Sequence, residues 1–225
     1  MGNTLTIFDL DNTLIQGDSS TVWSQFMVRE GLATQKGYLA REARLMADYD
    51  RGEMNIADYV ALIQAPLAGI PKSDVDALVA RCVREAILPR VYPQAWELIR
   101  RLRAEGEQML IISASVSLLV QAVAAALEID QALGIDVEMV DGGYSGVIAG
   151  IPSYQQGKVA RLAQWREAHP QYDGEVTFYT DSINDLPLCL HADRVRLVNP
   201  CPQLQAAAAG YGWPVLSWRL ESRSG

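Results

Sequence analysis

Asp9 and Asp11 stand one residue apart in TLTIFDLDNTLIQGD, directly after a run of apolar and β-branched residues. A second acidic pair, Asp181 and Asp185, closes EVTFYTDSIND after another such run. Ser113 follows the apolar MLII, and Lys158 opens the helical pattern GKVARLAQWREAH. Short apolar runs between turn residues read as buried strands. Each of these groups therefore falls at or just past a strand end, on one edge of a parallel sheet. Four carboxylates on one edge demand a counter-charge. Mg²⁺ suits them, because it takes one or two carboxylates, keeps waters and binds phosphate oxygens. Asp9 and Asp181 are the candidate side-chain ligands. Side chains alternate along a strand, so Asp9 and Asp11 start from the same side. The peptide between them can turn a carbonyl oxygen toward the metal.

The elements that must hold these residues follow from pattern. Thr4–Leu10 reads as a short buried strand. A helical stretch follows, from Ser19 to about Glu85. Ser19 or Ser20 is the expected cap of a helix carrying Val22, Trp23, Phe26 and Met27 on one face. YLAREARLMADYDRG is a second helix and NIADYVALIQAPLAG a third, with Asn55 as its cap. A fourth helix is expected to carry a capping-box-like pair, Ser73 and Asp76. Strand–helix alternation then resumes. Pro93 starts one helix and Gly106 ends it. EQMLIIS, EVTFYTDS and DRVRLVN are strands, and IDVEMVDGGYSGVIAG is a hairpin turning at Gly142 and Gly143. The expected fold is α/β: a doubly wound parallel sheet with an inserted helical segment and a β-hairpin. In such sheets ligands bind at the carboxyl ends of the strands.

The 225 residues are 49% hydrophobic, enough for one sizeable core. A net charge of −8 without a basic run argues against nucleic acid or an anionic membrane as partner. MLIISASVSLLVQAVAAALEI matches a membrane span in length, but its serines and glutamine mark a strand followed by a helix, so no membrane insertion is expected. The first residues show neither a secretory nor a myristoylation pattern. Cys82, Cys189 and Cys201 are far apart, which points to a reducing, cytoplasmic setting rather than a disulfide frame or a zinc site.

DLDNT matches the D-x-D-x-T motif of the haloacid dehalogenase superfamily of phosphohydrolases. Ser113 after LII matches its second motif, Lys158 its third and DSIND its fourth, in the right order. The helical insert directly after the first motif resembles the cap of the phosphoserine phosphatase-like branch. YTDSINDLPL, RLVNP and GWPVLSW resemble the group called subfamily IB. The resemblance implies a Rossmann-like core of residues 1–18 and 86–225 and a helical cap of residues 19–85. It implies roles as well. Asp9 is the nucleophile that forms an aspartyl-phosphate. Asp11 is the general acid and then base, and its backbone carbonyl is a metal ligand. Thr13 orients Asp9. Ser113 and the amide of Ala114, at a helix N-terminus, bind phosphate. Lys158 neutralises nucleophile and phosphate. Asp181 binds Mg²⁺ with Asp185 in support, and Asn184 lies near the phosphate. Asp11 also separates phosphoester chemistry from dehalogenation, where no such acid is needed.

The expected substrate is a small phosphorylated metabolite. Asp18 either caps the helix beginning near Ser19 or reads a substrate amine, as a glutamate does in phosphoserine phosphatases. Their carboxylate-reading cap arginine has no counterpart in GEMNIADYVALIQAPLAGIP, and SASVS replaces their glycine-rich turn. Both departures count against phosphoserine and favour a substrate with an amine and no carboxylate, such as histidinol phosphate; lysophosphatidate stays open. A phosphomutase would use the same motifs and retain the aspartyl-phosphate against water. A phospho-receiver would be shorter, with no helical insert. A non-catalytic binding protein would not need the motifs intact. His169 and His191, each closing a helical segment, read as surface or C-capping residues.

Overall fold

The computed structural model describes residues 3–220. β1 (Leu5–Phe8) is buried at every position, as expected of a central parallel strand. It is shorter than the apolar run predicts, because the chain leaves the ladder at Asp9. The insert follows: α1 (Ser19–Arg29), α2 (Tyr38–Asp50), α3 (Ile56–Gln64) and α4 (Lys72–Cys82). Next come α5 (Pro93–Ala104), β2 (Gln108–Val116), α6 (Ser117–Ala126) and β3 (Gln131–Ile135). The hairpin β4 (Val137–Val140) and β5 (Gly143–Ile148) leads to α7 (Gln156–Ala168) and β6 (Val176–Thr180). The chain closes with α8 (Leu186–His191), β7 (Arg194–Val198), α9 (Pro202–Ala207) and β8 (Val215–Leu216).

Six strands form one sheet in the order β3-β2-β1-β6-β7-β8, every pair parallel. The order runs one way from β1 through β2 to β3 and the other way through β6 to β8. The reversal falls beside β1, and the carboxyl ends of β1, β2 and β6 border it. Strand alternation sends neighbouring residues to opposite faces. Leu5, Ile7, Leu110 and Ile112 join Leu162, Trp165, Phe178 and Leu188 on one side. Phe8, Met109 and Ile111 join Ile99, Leu102, Leu119 and Val123 on the other. That second cluster continues without a break into the insert, through Trp23, Met27, Val60, Ile63 and Val79. Trp23, Phe26 and Met27 are thus internal packing of the insert.

Several local expectations are corrected. β2 runs past Ser113 to Val116, so Ser113 lies within the strand and not at its end. α6 begins at Ser117, and the amide of Ala114 is therefore not at a helix N-terminus. Ser73 and Asp76 form no capping box. α4 starts after Pro71 without a side-chain cap, Ser73 bonds Asp74, and Asp76 pairs with Lys72 at 2.6 Å. Helical structure in the insert continues beyond Glu85, through a π-helical turn to Ile87 and a 3-10 turn at Leu88–Arg90. The hairpin turns at Asp141 and Gly142, both left-handed with φ of 50° and 79°, while Gly143 is already in β5. Two left-handed central residues are what a two-residue hairpin turn requires. β3 and β8 have no counterpart in the sequence expectation. No helix among the described residues is long and apolar enough to cross a membrane.

Candidate active site

Asp9 is the first residue beyond β1, and its amide donates to the Tyr179 carbonyl on β6 at 2.9 Å. It sits at the reversal of strand order, 3% exposed. Lys158, in the first turn of α7, is fully buried and reaches it: Nζ lies 2.8 Å from Asp9 Oδ1 and 2.6 Å from Asp185 Oδ1. Asp185 also accepts from the Thr180 hydroxyl at 2.7 Å. The Thr13 hydroxyl lies 3.3 Å from Asp9 Oδ2 and 3.2 Å from Asp181 Oδ1, so its single proton is shared between the two. One lysine therefore stands beside three carboxylates that come from two segments of the chain, the ends of β1 and β6.

The electrostatics follow from that imbalance. Burial pushes Asp9 up to about 7; Lys158 opposes the shift, and the charges of Asp185 and Asp11 reinforce it. Burial, then the charges of Asp9 and Asp185, raise Asp181 well above the carboxylate range. Burial disfavours the Lys158 ammonium, yet Asp185 and Asp9 together hold it above its ordinary value. A buried charge is stable only when paired, and the negative charge here exceeds the positive.

The oxygen-only donor set fits a hard divalent cation such as Mg²⁺. Among the described residues, no three His, Cys, Asp or Glu side chains converge to hold a metal alone. Asp185 is drawn to Lys158 and Thr180, and the Asp11 carboxylate is turned to other donors. A cation beside Asp9 and Asp181 would thus take its remaining ligands from backbone, water or phosphate oxygens, which is the usual habit of Mg²⁺.

Asp11 faces the insert. Its carboxylate accepts from the Ser19 amide at 2.6 Å, the Ser115 hydroxyl at 2.8 Å and the Ser113 hydroxyl at 3.2 Å. Of the candidates the sequence offered for the cap of α1, Ser19, Ser20 and Asp18, it is Asp18 that accepts from the Thr21 amide, at 2.7 Å. Asp18 also lines a narrow cavity with Asp11, Met46, Tyr49, Met54, Tyr59, Ala114 and Ser115. Helix capping and a place at the site thus coexist. Burial and the neighbouring charge of Asp11 push Asp18 well above the carboxylate range. The cavity has room for about one water, so the site is closed. Larger clefts lie elsewhere; one is lined by Lys72, Ser117, Asp136 and Tyr144 and holds none of this chemistry.

Asn184 does not point its amide at open space. Its Nδ2 donates to the Tyr49 carbonyl at the end of α2, at 2.8 Å. Sequence reasoning missed Ser115, Tyr49 and Tyr59. Ser115 was legible in principle, since the alternation in SASVS puts it on the same side as Ser113. Nothing local marks the two tyrosines. Tyr59 is buried against Ser20, and its phenol is held above its ordinary value by burial and Asp18. His169 stacks on Trp165 at 4.2 Å and bonds the Trp165 carbonyl, the C-capping place its position suggested.

A family model described as haloacid dehalogenase-like hydrolase matches residues 6–189. The chain belongs to this family of hydrolases. It is 34% identical to a histidinol-phosphatase from Neisseria meningitidis over 96% of this chain and 99% of that protein. It is 27% identical to a phosphoserine phosphatase from Mycobacterium tuberculosis over 96% of this chain and 71% of that one. Among solved structures, a protein of unknown function from Bordetella pertussis superposes with a TM-score of 0.86 at 32% identity, covering 96% and 99% of the two chains. A phospho-aspartyl intermediate analogue of phosphoserine phosphatase gives 0.68 at 18% identity, covering 93% and 92%, a likeness of fold.

Proposed function

We propose that the protein is a Mg²⁺-dependent phosphomonoesterase that works through an aspartyl-phosphate on a small cationic metabolite, histidinol phosphate first. The observation that carries the chemistry is Asp9, buried at the strand reversal and paired with Lys158. An Asp9 oxygen attacks phosphorus, the bond to the leaving oxygen breaks, and Asp11 supplies the proton to the alcohol. Water then attacks the aspartyl-phosphate, Asp11 takes its proton, and phosphate leaves with Asp9 restored. Lys158 offsets charge on Asp9 throughout. Ser113 and Ser115 hold Asp11 in place. Asp9, Asp181 and the backbone of Asp11 would hold the Mg²⁺, which would supply charge stabilisation to the phosphoryl oxygens.

The substrate reading rests on the cavity wall. Two carboxylates, two tyrosine rings and two methionines line it, with no arginine or lysine. Such a wall favours a cation with a planar group and disfavours a substrate carboxylate. The relative named histidinol-phosphatase supports the same choice. The phosphoserine alternative would leave the substrate carboxylate facing Asp11 and Asp18. The test is phosphate release from histidinol phosphate, phosphoserine, p-nitrophenyl phosphate and sugar phosphates, with Asp9→Asn as control. Histidinol phosphate turned over fastest, and only with Asp9 intact, is the expected result. Equal rates on sugar phosphates would sink the substrate reading. Phosphorylation of Asp9 without release of inorganic phosphate would favour a phosphomutase.

A further inference from the structure

Gln155 precedes α7 with φ 49° and ψ −123°, a backbone conformation that non-glycine residues rarely adopt. Such strain persists only where surrounding contacts impose it. The contacts here cross to the insert. Gln155 Nε2 lies 3.1 Å from the Gly52 carbonyl, 3.2 Å from Asn184 Oδ1 and 3.1 Å from the Tyr154 hydroxyl. Asn184 Nδ2 donates to the Tyr49 carbonyl, so the last turn of α2 and the start of the loop after it are held from the sheet side. Gly52, at φ 74°, leaves the space this needs: a Cβ there would lie 3.3 Å from Asn184 Oδ1 and 3.5 Å from Gln155 Nε2.

The clasp adjoins the aspartate cluster. The Gln155 carbonyl accepts from the Lys158 amide at 3.1 Å, and Asn184 is next to Asp185. On the insert side, Tyr49 and Met54 flank the clasped loop and line the closed cavity. Substrate cannot enter a space with room for about one water unless part of its wall moves, and Met54 of this loop, with Tyr49 just before it, forms part of that wall.

We propose that Gln155 is a positioning residue that couples closure of the insert over the cavity to the placement of Lys158. This rests on the phosphatase reading above and adds a determinant that none of the family motifs contains. When the loop is seated, Gln155 is drawn into its strained conformation and the first turn of α7 is held with Lys158 on Asp9. When the loop lifts, Gln155 relaxes and the lysine loses that restraint.

The test compares Gln155→Glu, which keeps the shape and removes the donor, with Gln155→Gly, which removes the side chain and the backbone strain. Amide exchange in residues 49–54 and 156–160, melting temperature, kcat and KM are measured for both. Exchange in both segments should quicken about tenfold, the worth of one or two hydrogen bonds. kcat should fall about fivefold or more while KM changes less, and Gln155→Gly should melt no lower than wild type. Unchanged exchange in both variants overturns the coupling. A lower melting temperature with unchanged kcat makes Gln155 merely structural and also overturns it. If the wild type hydrolyses no phosphomonoester, the phosphatase reading fails by itself, and the paired exchange response still decides whether the two segments are coupled.

Discussion

Lys158 is the residue on which the charge balance turns. Fully buried, it answers both Asp9 and Asp185. Lys158→Met should strand two carboxylates in the interior and cost about 3–5 kcal/mol at neutral pH. Urea unfolding measures this, and an unchanged or raised stability would refute the pairing argument. Asp18 tests the substrate wall. Asp18→Asn keeps an oxygen for the α1 cap but removes the charge. The KM for histidinol phosphate should rise about tenfold or more, while p-nitrophenyl phosphate is unaffected. An equal change for both substrates would make Asp18 a cap and nothing else.

α7 exists as an element to deliver Lys158, and its start is tightly fitted. A Cβ on Gly157 would collide with the Pro152 carbonyl. Gly157→Ala must therefore shift the first turn, next to Lys158. A loss of about 1–3 kcal/mol is expected, with a fall in kcat larger than thermal instability explains. An alanine variant with wild-type melting and turnover would show that the turn has slack. β2 carries a comparable constraint. A Cβ on Gly134 of β3 would meet the Ser117 Cα at 2.7 Å and the Ser115 carbonyl at 2.8 Å. Only glycine lets β3 lie beside the extended end of β2. The short, glycine-broken QALGI gave no strand pattern, because that strand is selected by its partner.

At the scale of the whole molecule, the excess negative charge makes stability depend on pH. Folded Asp9 keeps its proton up to about 7, against 3.8 for an ordinary aspartate. Asp181 and Asp18 shift the same way. The folded state thus binds more protons than the unfolded chain across this window. Stability of the metal-free protein should fall as pH rises from about 4 through about 7. Mg²⁺ would bind the folded form, oppose the repulsion and compete with those protons. Its gain in melting temperature should be greater near pH 8 than near pH 5. A gain independent of pH, or none, would remove the metal from Asp9 and Asp181.

The amino-acid sequence alone singled out Asp9, Asp11, Lys158, Asp181 and Asp185, because each lies at or just past a change of pattern from apolar strand to polar loop or helix; Ser113 was singled out on the same ground, although β2 runs on past it to Val116. It also determined the parallel α/β class, since short, mostly apolar strands alternating with helices call for a sheet covered on both faces. It placed the Asn55 cap correctly, because a cap and the amides that donate to it lie within three residues. Contacts between residues far apart in the chain were decided by tertiary structure. Ser115 reaches Asp11, Asn184 reaches the Tyr49 carbonyl across 135 positions, and Gln155 reaches Gly52 across 103. Composition and periodicity report what one segment prefers. They do not report which donor another segment presents once the insert has folded back onto the sheet, and that juxtaposition closes the site.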